Sequence, residues 1–174
     1  MPSPRSPEAL IRLLGLMPHP EGGFYRETYR SGGILPRAQL PPGFSGDAPF
    51  STAIYFLLTK DAFSSFHRIR SDELWHFYSG DPLEVHLLSP GTGHRLLELG
   101  PELERGQAFQ GCVEAGAWFG ARVRPGGAWS LVGCTVAPGF RFEDFELARR
   151  EALARQFPDQ RNLVHDLTRS EAAR

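Results

Sequence analysis

Hydrophobic spacing divides this chain into a short helical start, a long stretch of two-residue alternation and a helical tail. At the start, Leu10, Ile11, Leu13 and Leu14 recur at helical spacing and form one apolar face. Ser6 suits the cap of that helix, Pro7 its first turn, and Gly15 its stop. His19-Pro20-Glu21-Gly22-Gly23 reads as a loop, and Phe24 to Arg30 alternates like a strand. From Gly32 to Pro49 no period survives, and the richness in proline and glycine predicts a long surface loop or flap.

Beyond Ser51 the pattern is that of short strands. Thr52–Leu58, Ser64–Ile69, Leu74–Tyr78 and Leu83–Leu88 come first. A hairpin turn at Gly91-Thr92-Gly93 leads into His94–Leu99, and Phe109–Val113, Trp118–Val123 and Ala128–Val136 complete the set. Strands this short, divided by Gly/Pro turns, predict an all-β-dominated antiparallel sandwich or barrel. The tail returns to helix over Glu146–Gln156 and, after a break at Pro158, over Arg161–Arg169, where Leu163, Val164 and Leu167 share a face. Amphipathic stripes of this kind predict helices packed on the outside of the sheet.

Composition changes this picture little. The 19 Gly and 15 Pro exceed the averages of about 7% and 5%, and their scatter as punctuation means many turns rather than low complexity. The 174 residues suit one domain spanning the whole chain, and no repeat or linker divides them. A net charge of −1 offers no footprint for nucleic acid. No apolar run approaches the roughly 20 residues of a membrane span. The Leu-rich N-terminal stretch is broken by Arg12 and lacks a small-residue cleavage site, so a cytoplasmic location is expected. Cys112 and Cys134 show no metal-type spacing and are expected as free thiols.

The chemistry concentrates between Phe66 and Gly80. Residues two apart share a face of a strand, so His67 faces with Ile69, and Glu73 with Trp75 and Phe77 on the returning strand. If the His67 face is interior, Glu73 reaches the same cavity. An imidazole and a carboxylate converging there can bind a divalent metal or act as an acid–base pair, with Glu73 orienting His67. His76 alternates away from Glu73, toward a surface or interface. Trp75, Phe77, Trp118 and Phe119 are candidates to line a ligand, or to fill the barrel. Arg26 offers a planar fork for a substrate carboxylate or phosphate. His86 and His94 carry no spacing signal and are expected at the surface.

His67, Glu73 and Gly80 resemble the first cupin motif, although the second histidine slot holds Ile69 and the leading glycine slot Asp61. At the second motif only Gly116 fits; Glu114 stands at the proline slot and Phe119 at the histidine slot. More specific is the resemblance to the cupin branch called Cupin_5 or DUF985, whose function is uncharacterised. It rests on His19 to Tyr29, Ser65-Phe66-His67-Arg68, Ser71 to His76, Val136 to Phe140 and Phe142 to Glu146, and spans roughly Pro7 to Arg169. The resemblance implies a double-stranded β-helix (jelly-roll) barrel, paired into a homodimer, with the helices outside and apolar residues at Ile69 and Phe119 as part of the pattern.

Three functions stay open. The first is a metal-independent epimerase or isomerase acting on a carbohydrate or similar polar metabolite. His67 would be its base, Glu73 the orienter, and Tyr25, Tyr29 or Tyr78 a proton donor; metal-independent cupins that epimerise nucleotide sugars with a histidine base lend it analogy. The second is a metal-dependent dioxygenase or isomerase whose divalent metal sits on His67 and Glu73. The third is a protein that binds a small-molecule ligand without turning it over. No cofactor is expected under the first reading.

Overall fold

The computed structural model describes residues 6–169. Helix α1 (Pro7–Leu14) starts where the sequence predicts: Ala9 N–H donates to the Ser6 hydroxyl, and the chain stops at Gly15. Its face differs in one position. Leu10 is buried and Ile11 and Leu14 pack beside it, whereas Leu13 is exposed.

Strands β1 (Met17–Pro18), β2 (Phe24–Arg30), β3 (Ile34–Leu35), β4 (Ala48–Pro49), β5 (Thr52–Thr59), β6 (Phe63–Arg68) and β7 (Asp72–Gly80) follow in order. Then come β8 (Leu83–Ser89), β9 (Gly93–Leu99), β10 (Gln110–Val113), β11 (Trp118–Val123), β12 (Trp129–Ala137) and β13 (Glu146–Leu147). One six-stranded sheet has the order β1-β2-β5-β12-β7-β10, and a five-stranded sheet the order β13-β6-β11-β8-β9. All the strand pairs are antiparallel. The two sheets face each other as an open jelly roll.

Burial follows from which faces are covered. Phe56, Leu58, Trp75, Val85, Leu87 and Phe119 belong to the core between the sheets. Leu57, pointing the other way from its neighbours on β5, packs with Leu10 and Leu16 beneath α1. Phe56, Leu57 and Leu58 are therefore all buried, as expected for a strand covered on both faces. The outer face of the second sheet is covered by α2 (Arg150–Gln156) and α3 (Arg161–Asp166), through Phe66, Leu88, Trp118, Leu153, Val164 and Leu167. Among the described residues no helix is long and apolar enough to cross a membrane.

Two stretches depart from the sequence expectation. The 32–49 segment is not a bare loop: β3 pairs with β4, and Leu40, Phe44 and Ala48 bury a small core of their own. Glu146 and Leu147, expected to open the tail helix, instead form β13 against Arg68 and His67 of β6. Helix α2 begins only at Arg150.

Candidate functional site

Strand β6 carries an irregularity on which the site depends. Phe119 of β11 lies opposite His67, but two residues on, Ala121 lies opposite Ser64 rather than Ser65. One extra residue on β6 makes this a β-bulge. Simple alternation would put Ser64 and His67, three apart, on opposite faces. The bulge brings both to one acceptor, the carboxylate of Glu21. Ser64 donates to Glu21 Oε1 at 2.8 Å, and His67 Nε2 lies 3.1 Å from Glu21 Oε2.

Glu21 arrives from the loop between β1 and β2. Its backbone carbonyl accepts from Ser65 N–H, which ties the loop to the bulge. The two glycines that follow allow this close approach. Gly22 has φ of 118°, and a Cβ there would stand 2.0 Å from the Phe63 carbonyl oxygen; Gly23 has φ of 73°, with Leu58 Cδ2 at 2.6 Å from the same position. Only glycine fits either place.

The protons of this cluster can be assigned from its partners. His67 Nδ1 lies 2.7 Å from the Ser65 carbonyl oxygen, which can only accept, so Nδ1 carries a hydrogen. Burial holds His67 down at about 3, against a lesser opposing effect of the Ser65 carbonyl. Burial likewise raises Glu21 well above the usual carboxylate range, and the charge of Glu73 pushes it further. Both displacements favour the neutral pair, in which Glu21 is protonated and donates to His67 Nε2. His19 accepts from the Glu21 N–H at 3.3 Å through Nδ1, and burial holds it at about 4, so it too is neutral.

Glu73 stands on β7, with Val113 and Val136 as its cross-strand neighbours. Burial lifts it to about 7, partly offset by a hydrogen bond from the Cys134 thiol. The thiol is held well above its own ordinary value by burial and by Glu73, so it remains a donor. Glu21, His67, His19, Glu73 and Cys134 all line a cavity of about 270 Å³. Its remaining wall is largely aromatic and aliphatic: Tyr25, Ile54, Phe56, Phe140 and Phe142.

The structure brings His67 and Glu73 to one cavity but places Glu21, not Glu73, on the imidazole. The other candidate ligand contacts fall elsewhere. Arg26 is directed to α1, where it donates to the Leu14 carbonyl at 3.0 Å, because β2 runs beneath that helix end. Trp118 lies on the outer face of β11, under the guanidinium of Arg68, whose charge pairs with Glu146 rather than Glu73. Trp75 and Phe119 are core residues, and Phe77 packs against the same core. Phe119 bears on the site indirectly, its ring 4.0 Å from that of His67. Ile69 lies past the end of β6, in the core. Tyr29 and Tyr78 are half-exposed, while Tyr25 lines the cavity. His76 binds Thr135 and Gln110 away from the site. His86 is buried rather than superficial, paired with His94 at 3.1 Å and Glu84 at 3.3 Å. Both cysteines are free.

Comparison with known proteins places the chain in a family. The chain matches the family Cupin_5, cupin superfamily (DUF985), over residues 8–148. It belongs to that family. A Shewanella oneidensis protein of known structure is 37% identical, with a TM-score of 0.85 over 97% of this chain and 100% of that one. A hypothetical protein from Leishmania major is 33% identical, with the same TM-score over 94% and 99%. An uncharacterised protein of Saccharomyces cerevisiae is 28% identical over 163 residues, 87% of this chain and 81% of its own. Bacillus subtilis oxalate decarboxylase, at 13% identity and a TM-score of 0.51 over 88% of this chain and 37% of that one, shares the fold.

Those cupins that hold a metal do so on the histidines and glutamate of the two motifs, and the donors here can be tested against that requirement. Two of its slots are Ile69 and Phe119, which have no lone pair to give. His67 Nε2, the nitrogen left free by Ser65, is engaged by Glu21. Among the described residues no group of three His, Cys, Asp or Glu side chains is arranged to hold a metal ion. The residues present do not fit a cupin metal centre.

Proposed function

We propose that this cavity carries out proton transfer at carbon on a small polar metabolite of the carbohydrate type, an isomerase or epimerase reaction without a metal. The observation behind the reading is the pairing of two buried carboxyls in one small cavity, one 3.1 Å from His67 Nε2 and pushed by burial well above the usual carboxylate range, the other lifted by burial to about 7. Carboxyls whose environments differ in this way divide naturally into acid and base.

In this reading Glu73, ionised in a large fraction at pH 7, takes the proton from a carbon next to the substrate carbonyl. The C–H bond breaks, its electron pair forms the enolate, and the proton resides on Glu73. Glu21, protonated and hydrogen-bonded to His67, supplies a proton to the developing oxyanion. The proton returns from Glu73 to the former carbonyl carbon while the hydroxyl on the first carbon gives its proton to Glu21, which completes an isomerisation with no change of oxidation state; epimerisation requires reprotonation of the first carbon from its opposite face. His67 is then the acceptor that positions the Glu21 proton, and the aromatic wall excludes water. A volume of about 270 Å³ lies below the roughly 300–1,000 Å³ of most small-molecule sites, which suits one sugar ring rather than an enclosed nucleotide sugar.

The test is solvent deuterium incorporation. Aldoses, ketoses and their acids that raise the melting temperature are incubated with protein in D2O and followed by NMR. Exchange at carbon is expected, lost in Glu73→Gln and strongly reduced in His67→Ala. A ligand that stabilises the protein and never exchanges would replace the enzyme by a metabolite-binding protein. Exchange undiminished in Glu73→Gln would remove Glu73 as the base.

A further inference from the structure

Behind the site, on the far side of the bulge, lies a second and larger cleft of about 740 Å³ between β13, α2 and β6. We infer that it is a binding site for a small phosphate-bearing molecule, separate from the catalytic cavity and independent of the chemistry proposed there. Three guanidinium groups line it: Arg149, Arg150 and Arg169. Its one lining carboxylate, Glu146, is already neutralised by Arg68 at 2.8 Å. Arg150 spends its Nε on the Thr168 hydroxyl, and one terminal nitrogen on the Thr168 carbonyl, leaving its other donors. The cleft therefore carries an excess of planar donors of the kind that suits phosphate oxygens.

A second observation points the same way. Ser65, only 4% exposed, lines this cleft, and its hydroxyl has no hydrogen-bond partner. A buried hydroxyl left unsatisfied is uncommon in a folded protein and marks a place where a polar ligand atom completes the shell. The bulge is what presents it: Ser65 and Phe66 together lie opposite the single Gly120, so both are kept out of the cavity that Ser64 and His67 face. Trp118 and Phe145 add an apolar wall for the body of the ligand.

The cleft and the cavity are distinct but adjoining. Phe145 lines the cleft on one side and stacks near the His67 ring, at 5.1 Å, on the other. The Ser65 carbonyl holds His67 Nδ1 while Ser65 also lines the cleft.

Inorganic pyrophosphate is the probe, titrated calorimetrically into the full chain at fixed ionic strength of about 0.15 M, where surface ion pairing is screened. Saturable one-to-one binding is expected. Arg149→Glu, at an exposed position, should weaken it at least tenfold, Arg169→Ala several-fold and Ser65→Ala several-fold, each variant keeping the wild-type melting profile. Glu73→Gln should bind pyrophosphate as wild type does, which separates this site from the catalytic cavity. Absence of saturable binding, or wild-type affinity in both arginine variants, overturns the inference. So does loss of binding in Glu73→Gln. Citrate bound as tightly as pyrophosphate would overturn the phosphate class.

Discussion

Replacing Glu73 by Gln should make the stability of this protein less sensitive to alkali, and the size of the effect follows from the burial of one carboxyl. Glu73 is 7% exposed and titrates at about 7 in the fold against an ordinary 4.5. The folded state thus holds the proton more tightly than the unfolded chain, so stability falls as pH rises between those two values and then levels off. With about 1.36 kcal/mol per pKa unit, the ionised group costs the fold about 3 kcal/mol above pH 8 and about 1 kcal/mol at pH 5.5. Gln has no such penalty. The difference in unfolding free energy between Glu73→Gln and wild type should therefore move in favour of the variant by about 2 kcal/mol between pH 5.5 and 8.5. The charge of Glu73 also raises Glu21, and removing it relieves that repulsion in the same direction. Urea unfolding of both proteins across this range supplies the measurement. A difference that stays constant with pH would show that Glu73 titrates like an exposed carboxylate, and the division into acid and base would fall with it.

Other outcomes follow from the same geometry. Ser64→Ala removes the 2.8 Å donor to Glu21 Oε1 and should lower stability by roughly 1–3 kcal/mol in denaturant unfolding, against no change if the bond is incidental. Gly22→Ala places a Cβ 2.0 Å from the Phe63 carbonyl oxygen at φ of 118°; a loss above about 3 kcal/mol, or failure to accumulate folded protein, is expected. A loss below 1 kcal/mol would mean the loop carrying Glu21 is not held as described. Arg26→Ala forfeits an exposed bond to the Leu14 carbonyl, worth up to about 1 kcal/mol by thermal unfolding, and should leave cavity ligands bound with unchanged affinity. A tenfold weaker ligand would return Arg26 to the binding site.

The strands were legible because their period is simple and their turns are marked. Trp118–Val123 and Phe24–Arg30 have the predicted bounds, and α1 begins and ends on its capping residues. The site was legible only in part, for a reason that alternation itself explains. Counting by twos along β6 pairs His67 with Ile69 and sets Ser64 on the other face, whereas the bulge reverses Ser64 and the strand ends at Arg68, before Ile69. A bulge leaves no fixed residue signature, so the parity error cannot be seen in the string. Glu21 and His19 were read as loop residues because no period includes them. The available signal was the Gly22-Gly23 pair beside them: two adjacent glycines permit an approach so close that the preceding side chain is carried inside. Cys134, read as a buried thiol on a strand, could not be linked to Glu73 without the register that sets β12 beside β7.

The apolar residue at the second cupin motif has a positive role in this arrangement. Phe119 lies opposite His67 in the ladder, its ring 4.0 Å from the imidazole. A histidine there would add a donor and polar surface; a phenyl ring strips water from one face of His67 instead. Desolvation disfavours the imidazolium, which is why His67 sits near 3, and an imidazole that stays neutral keeps its Nε2 lone pair open to the proton held by its neighbour. Desolvation also disfavours the Glu21 carboxylate, so the same dryness that weakens His67 as a base strengthens Glu21 as a place to store a proton. Phe119 and Glu21 thus act on the imidazole in concert, one by excluding solvent and the other by supplying the proton. Loss of the dry wall should let His67 titrate closer to its ordinary value of 6.5. Histidine NMR on Phe119→Leu, which keeps the site apolar, and on Glu21→Gln, which keeps its shape, tests both contributions. His67 should stay neutral well below its ordinary 6.5 in both, because Leu still excludes water and Gln still donates to Nε2, whereas Phe119→Ser, which admits water, should raise its titration; an unchanged titration in Phe119→Ser would refute the role given to the aromatic ring.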